Sequence, residues 1–176
     1  MIHNQIENLI LPYQAILGKN YEPYKNHVHR IADLTLQLKH ETNDDDEQKI
    51  AIAAVFHDIG IWTNSTFDYL EPSRAIANSY LEANNLDDWK TEIDLIIDMH
   101  HKRSVYLGPF YDSVEAFRKA DLIDLSKGMK SFGIEKRYLT SLYKKYPMLG
   151  FRSIMGRNFF KNLFNNPMNP LPMFMK

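Results

Sequence analysis

Ala53-Ala54-Val55-Phe56-His57-Asp58-Ile59-Gly60 sets a histidine and an aspartate side by side at the end of an apolar run. Upstream, Ile50, Ala53, Ala54 and His57 fall at i, i+3, i+4 and i+7, so His57 continues the inward stripe of a helix. Gly60 tolerates positive φ, which suits the end of that helix. An ionisable pair aimed at a core costs free energy unless something neutralises it. Two arrangements would do so: a hydrogen-bonded pair capping the helix, or a bound cation taking imidazole nitrogen and carboxylate oxygen as ligands. The dipeptide alone does not choose between them. The other histidines do.

A second histidine lies on the helix expected over 23–40, where His27, Ile31, Leu34 and Leu38 fall within about 60° of one another at 100° per residue. His27 therefore faces inward, while His29 points almost the opposite way, with Asp33 one turn on as its expected partner. A third stripe, Ile93, Ile96, Ile97 and His100, ends the helix expected over 87–101. In a fourth, Val114, Phe117, Asp121 and Leu125 set an aspartate in the middle of an apolar face. Four helices thus each carry an inward face bearing a metal-compatible residue. Neutral imidazoles and carboxylates are the nitrogen and oxygen set for divalent zinc, manganese, iron, cobalt or nickel.

The rest of the chain frames these stripes. Helix is expected over 2–17 with a break at Pro12, then from the acidic run Asn43-Asp44-Asp45-Asp46-Glu47, whose side chains suit a helix start. That run is no EF-hand loop, because the later ligands and the glycine are missing. A loop is expected over 61–70, a helix from Pro72 to about 84, and two more over 134–145 and 153–164. The tail over 165–176, with three prolines and Met168, Met173, Phe174 and Met175, should be irregular and pack on the body or on a second subunit.

The totals bound the function. At 176 residues, 44% hydrophobic and 24% charged, the chain reads as one soluble domain over 1–176. A net charge of −1 makes no case for nucleic acid or an anionic membrane. With no cysteine, thiolate metal sites and cysteine nucleophiles are excluded. No apolar run approaches the roughly 18 residues of a spanning helix, and a start bearing His3, Asn4, Gln5 and Glu7 is no signal peptide, so the expected compartment is the cytoplasm.

His27, then His57-Asp58, then Asp121 resembles the H…HD…D order of the HD superfamily of metal-dependent phosphohydrolases. The contexts are similar as well: His27-Val28-His29-Arg30-Ile31, Ala54-Val55-Phe56-His57-Asp58-Ile59-Gly60, and Lys119-Ala120-Asp121-Leu122-Ile123-Asp124. The resemblance spans about 21–127 and leaves the C-terminal helices and tail over 128–176 outside it. It implies an all-α bundle with a central metal site, held by His27, His57, Asp58 and Asp121, in which Asp58 can bridge two ions. Members with two metals add histidines between the second and last motifs. His100-His101 resembles the later of these, whereas Glu71-Pro72 stands where a His-Pro is common, which makes Glu71 and His100 the candidates for a second ion.

The implied chemistry is hydrolysis of a nucleotide or other small phosphorylated metabolite by metal-activated water, with one or two divalent ions and Asp58 as proton acceptor or orienter. His101, about 100° round the helix from His100, is expected to face substrate, and Arg30 and Lys102 are the candidate phosphate-binding cations. Two departures are visible: Ile61 replaces a lysine common after HD-x-G, and the G-Y-P signature of cyclic-dinucleotide hydrolases is absent after His101. Two alternatives therefore stand beside the hydrolase: a di-iron oxygenase using Glu71 and His100, and a metal-retaining binding module without turnover.

Overall fold

A computed structural model describes residues 2–66 and 68–157 of the 176. The protein is an all-α bundle, and no strand occurs among the described residues. The helix expected at the N-terminus is α1 (Ile2–Ile10), a 3-10 turn over Leu11–Tyr13 containing Pro12, and the short α2 (Gln14–Leu17). Proline removes a backbone donor, and the chain breaks where that donor is lost. Then follow α3 (Tyr21–Leu38), α4 (Asp44–Phe56), α5 (Gly60–Thr63), α6 (Leu70–Ala83), α7 (Lys90–Met99), α8 (Tyr111–Leu125) and α9 (Lys136–Lys145), and residues 151–157 are again helical. The tail expected to be irregular over 165–176 and most of the helix expected over 153–164 lie outside the described residues.

The middle of the bundle is α4. Its last seven residues, Ile50 to Phe56, are all buried, so this C-terminal half is apolar on every side and must be wrapped. The helix starts in the acidic run, as expected, and the structure adds a capping box: Asn43 Oδ1 accepts from the Asp46 N–H at 2.9 Å, and Asp46 Oδ2 accepts from the Asn43 N–H at 3.1 Å. A cap of this kind is worth about 1 kcal/mol. Against α4 pack α1, α3, α6 and α7, while α8 lies along α3 and also touches α7. The ends of α4 and α7 and the middles of α3 and α8 thereby meet.

Two local expectations are corrected. Gly60 does not take positive φ; it opens α5, so part of the expected loop is a helical turn. A glycine is required there for space: a Cβ at this position would lie 2.7 Å from the Tyr69 carbonyl oxygen and 3.0 Å from Ser73 Oγ. The Gly60 N–H donates to Ser73 Oγ at 3.0 Å, drawing the start of α6 onto the turn that carries Asp58. The second correction concerns His29. It is buried and bonds to Glu7 Oε1 at 2.8 Å, whereas Asp33 sits 3.1 Å from His3.

Candidate metal centre

His57 follows α4 directly and His100 follows α7, and both fold in the same local way. The His57 Nδ1–H donates to the Ala54 carbonyl at 2.8 Å, three residues back, and the His100 Nδ1–H donates to the Ile97 carbonyl at 2.6 Å, also three residues back. A carbonyl only accepts, so the proton sits on Nδ1 and each Nε2 presents a lone pair. These two bonds also satisfy carbonyls that a helix end leaves without partners. On α3, His27 Nδ1 lies 2.7 Å from Asp124 Oδ2 of α8, which again assigns the proton to Nδ1 and the lone pair to Nε2. Tyr24, one turn before His27, donates to the Val55 carbonyl at 2.8 Å and holds α3 against the end of α4.

The three lone pairs converge. His27 Nε2 and His57 Nε2 are 3.1 Å apart, with Asp58 Oδ2 3.3 Å from the latter and 3.9 Å from the former. Asp121 Oδ1 is 3.9 Å from His27 Nε2. On the other side of Asp58, Oδ1 lies 3.5 Å from His100 Nε2, and both atoms are buried without a hydrogen-bond partner. Acceptors turned toward one another in a dry interior repel unless a cation lies among them. At metal–nitrogen distances near 2.1 Å, ligands stand about 3.4 Å apart on a tetrahedral ion, and about 3.0 Å (adjacent) or about 4.2 Å (opposite) on an octahedral one. The observed spacings fall in and around that range, so the residues fit a divalent ion.

Three groups of ligand atoms, each within 4.8 Å of one another, overlap: His27, His57 and Asp121; His57, Asp58 and His100; His100, His101 and Asp121. Asp58 turns one oxygen toward His57 and the other toward His100. His101 is the least buried of the six, 13% exposed at its side chain. Its Nδ1 is 3.4 Å from Asp121 Oδ2, and its Nε2 is hydrogen-bonded to the Tyr69 hydroxyl.

The protonation pattern reflects the same demand for positive charge. Burial pushes the Asp58 carboxyl up, but the His57 and His100 imidazoles outweigh it and hold it well below the usual carboxylate range. Burial pulls His57 down, yet the Asp58 and Asp121 carboxylates more than offset that and raise it. His100 is pushed down to about 4 by burial and by the adjacent His101 ring, so it is a neutral donor at physiological pH. Burial raises the Tyr69 hydroxyl well above the ordinary phenol value, keeping it protonated.

The family model of the HD domain matches residues 24–129, a stretch that contains all six of these residues. The chain belongs to the HD-domain family. No curated protein and no solved structure matches it.

The HD domain brings His27, His57, Asp58, His100 and Asp121 together, but three other expectations are changed. Glu71 is exposed in the first turn of α6 and belongs to none of the ligand groups, because its helix starts by turning that side chain to solvent. His101, expected to face substrate, instead brings a ring nitrogen within ligand reach of His100 and Asp121. Arg30 is fully buried and consumed: Nε donates to Asp124 Oδ1 at 2.6 Å, Nη2 to Asp124 Oδ2 at 2.9 Å, and Nη1 to the Tyr146 carbonyl at 2.9 Å. It braces the carboxylate behind His27 and offers nothing to a phosphate. The Lys102 side chain is exposed, and its carbonyl accepts from Arg118. Asp124, which backs His27, is a further site residue whose sequence signal is its place three residues after Asp121, on the same helical face.

Proposed function

We propose that this HD-domain protein is a metal-dependent phosphohydrolase that cleaves a phosphoester bond in a nucleotide or other small phosphorylated metabolite. The observation that carries the reading is the buried, unpartnered pair Asp58 Oδ1 and His100 Nε2 beside the facing His27 and His57 nitrogens. His27, His57, Asp58 and Asp121 would hold one divalent ion, and His100 and His101, with the second oxygens of the two carboxylates, a further one. A divalent ion there supplies Lewis acidity, activating water and neutralising phosphoryl oxygens. Asp58 remains ionised and accepts or orients the proton of the attacking water. The His101 ring, the most exposed of the six at 13%, is held through Nε2 by the buried Tyr69 hydroxyl, and Lys102 is an exposed cation one residue further on, available to a phosphate.

A second reading is favoured by the residue set itself. Four histidines and two aspartates in three overlapping groups suit two ions, and two irons would make the same frame an oxygenase. Its ligands would be His100 and His101, with Glu71 taking no part.

The deciding experiment loads the metal-free protein separately with manganese, cobalt, nickel, zinc or ferrous iron and screens a panel of phosphorylated metabolites for phosphate release. Release that Asp58→Ala abolishes is the expected result. Oxygen uptake by a two-iron form with no phosphate release would replace the hydrolase with the oxygenase. Tight metabolite binding without either reaction would leave a binding module.

A further inference from the structure

His29 lies two residues along α3 from His27 and so on another side of the helix. Its Nδ1 is 3.1 Å from Nδ1 of His3 on α1. Each ring is backed by a carboxylate: His29 Nε2 is 2.8 Å from Glu7 Oε1, and His3 Nε2 is 3.1 Å from Asp33 Oδ1. Carboxylates only accept, so the ring protons belong on the two Nε2 atoms and the two Nδ1 lone pairs face each other. The Tyr146 hydroxyl is 3.3 Å from His3 Nδ1, and the Tyr146 ring stacks on His29 with centroids 4.7 Å apart and planes 8° from parallel.

We propose that His3 Nδ1 and His29 Nδ1 hold a divalent transition-metal ion of the imidazole-preferring class at a site separate from the central one. The 3.1 Å spacing of the nitrogens lies within that of adjacent ligands on one ion, about 3.0 Å for octahedral and about 3.4 Å for tetrahedral geometry. A carboxylate behind each metal-bound imidazole is the arrangement that fixes its tautomer and raises its basicity. His29 is buried while the His3 side chain is 35% exposed, so the ion sits at the edge of the bundle with water and the Tyr146 hydroxyl within reach to complete its coordination. With two imidazoles rather than a full protein set, this site is weaker than the central one. Its occupancy ties α1 to α3.

The test is zinc binding to the full chain, stripped of metal and then dialysed against graded Zn2+, with bound metal counted by elemental analysis. Wild type is expected to take up one ion more than His3→Ala. Glu7→Gln, which keeps an oxygen for the His29 N–H but removes its charge, should weaken that same ion 10–100-fold. His57→Ala should lower central zinc and leave this ion in place, which separates the peripheral site from the proposed function. Superimposable zinc isotherms for wild type, His3→Ala and Glu7→Gln would overturn the proposal and leave a proton shared between the two rings.

Discussion

Asp124 and Arg30 form a fully buried two-pronged pair, and the same Asp124 oxygen that accepts from Arg30 Nη2 at 2.9 Å lies 2.7 Å from His27 Nδ1. A residue of α8 thus sets the tautomer of a residue of α3. Burial pushes the Asp124 carboxyl up, but His27 and Arg30 outweigh it and hold it below the ordinary value. The α3–α8 packing and the orientation of His27 therefore rest on one carboxylate.

Asp124→Ala strands the Arg30 charge in the interior and should cost about 3–5 kcal/mol in stability. It should also weaken metal at the central site 10–100-fold, as loss of the partner behind a liganding histidine does. Arg30→Gln should lower stability and metal content together. At saturating metal, its KM for a phosphorylated substrate should match wild type, because Arg30 touches no open surface. Denaturant titration, elemental analysis and steady-state kinetics check these outcomes. A raised KM alone would return Arg30 to the substrate.

Glu71 lies in solvent outside the ligand groups, whereas His101 stands within ligand reach of His100 and Asp121. Glu71→Ala should leave bound metal unchanged, and His101→Ala should lower it, with both variants near wild-type stability. Elemental analysis after dialysis reads this directly. Loss of metal in Glu71→Ala would contradict the placement of that side chain in solvent.

Gly60→Ala should destabilise the protein by about 1–3 kcal/mol, the range for overpacking a tight contact. The obstacle is a backbone carbonyl, Tyr69 O at 2.7 Å, which no rotamer change removes. Because the strained turn carries Asp58, activity should fall together with the melting temperature. A neutral substitution would mean that α6 can withdraw freely from the turn.

Glu115 accepts from Arg118 Nε and Nη2, both at 2.7 Å, and from the Tyr106 N–H at 3.0 Å, while Arg118 Nη1 reaches the Lys102 carbonyl at 3.0 Å. This network pins the segment that follows His101. Burial pushes the Glu115 carboxyl up, but Arg118 and the Tyr106 N–H outweigh it and lower it from its ordinary 4.5. A depressed carboxyl contributes stability that is present above pH 4.5 and is lost as the pH falls through its lower folded value. The stability gap between wild type and Glu115→Gln should therefore be largest near neutrality and shrink below pH 4.5. Thermal melts of metal-free protein across that range measure it. A gap that grew with acid would reverse the sign.

Much of the fold and the inner part of the site were legible because each signal is local. Apolar spacing on α3, α4, α7 and α8 fixes the direction in which His27, His57, His100 and Asp121 point, and His57 and His100 find their carbonyl partners three residues back. Arg30 reads as surface or substrate-binding from the sequence because its partner Asp124 is 94 residues away. The same distance problem hides the pairing of His3 with His29, 26 residues apart. Gly60 reads from the sequence as a helix end tolerant of positive φ, whereas the structure needs its small size: the carbonyl it accommodates is that of Tyr69, just before α6.

By itself the sequence determined an all-α chain with four inward stripes bearing histidine and aspartate, because helical periodicity is set by nearest turns. Only the tertiary structure decided which of those groups lie close enough to share an ion, that His101 rather than Glu71 stands among them, and that Arg30 pairs with Asp124. A stripe gives a direction around an axis, whereas coordination and ion pairing depend on distances of a few ångströms between helices, which only their packing sets.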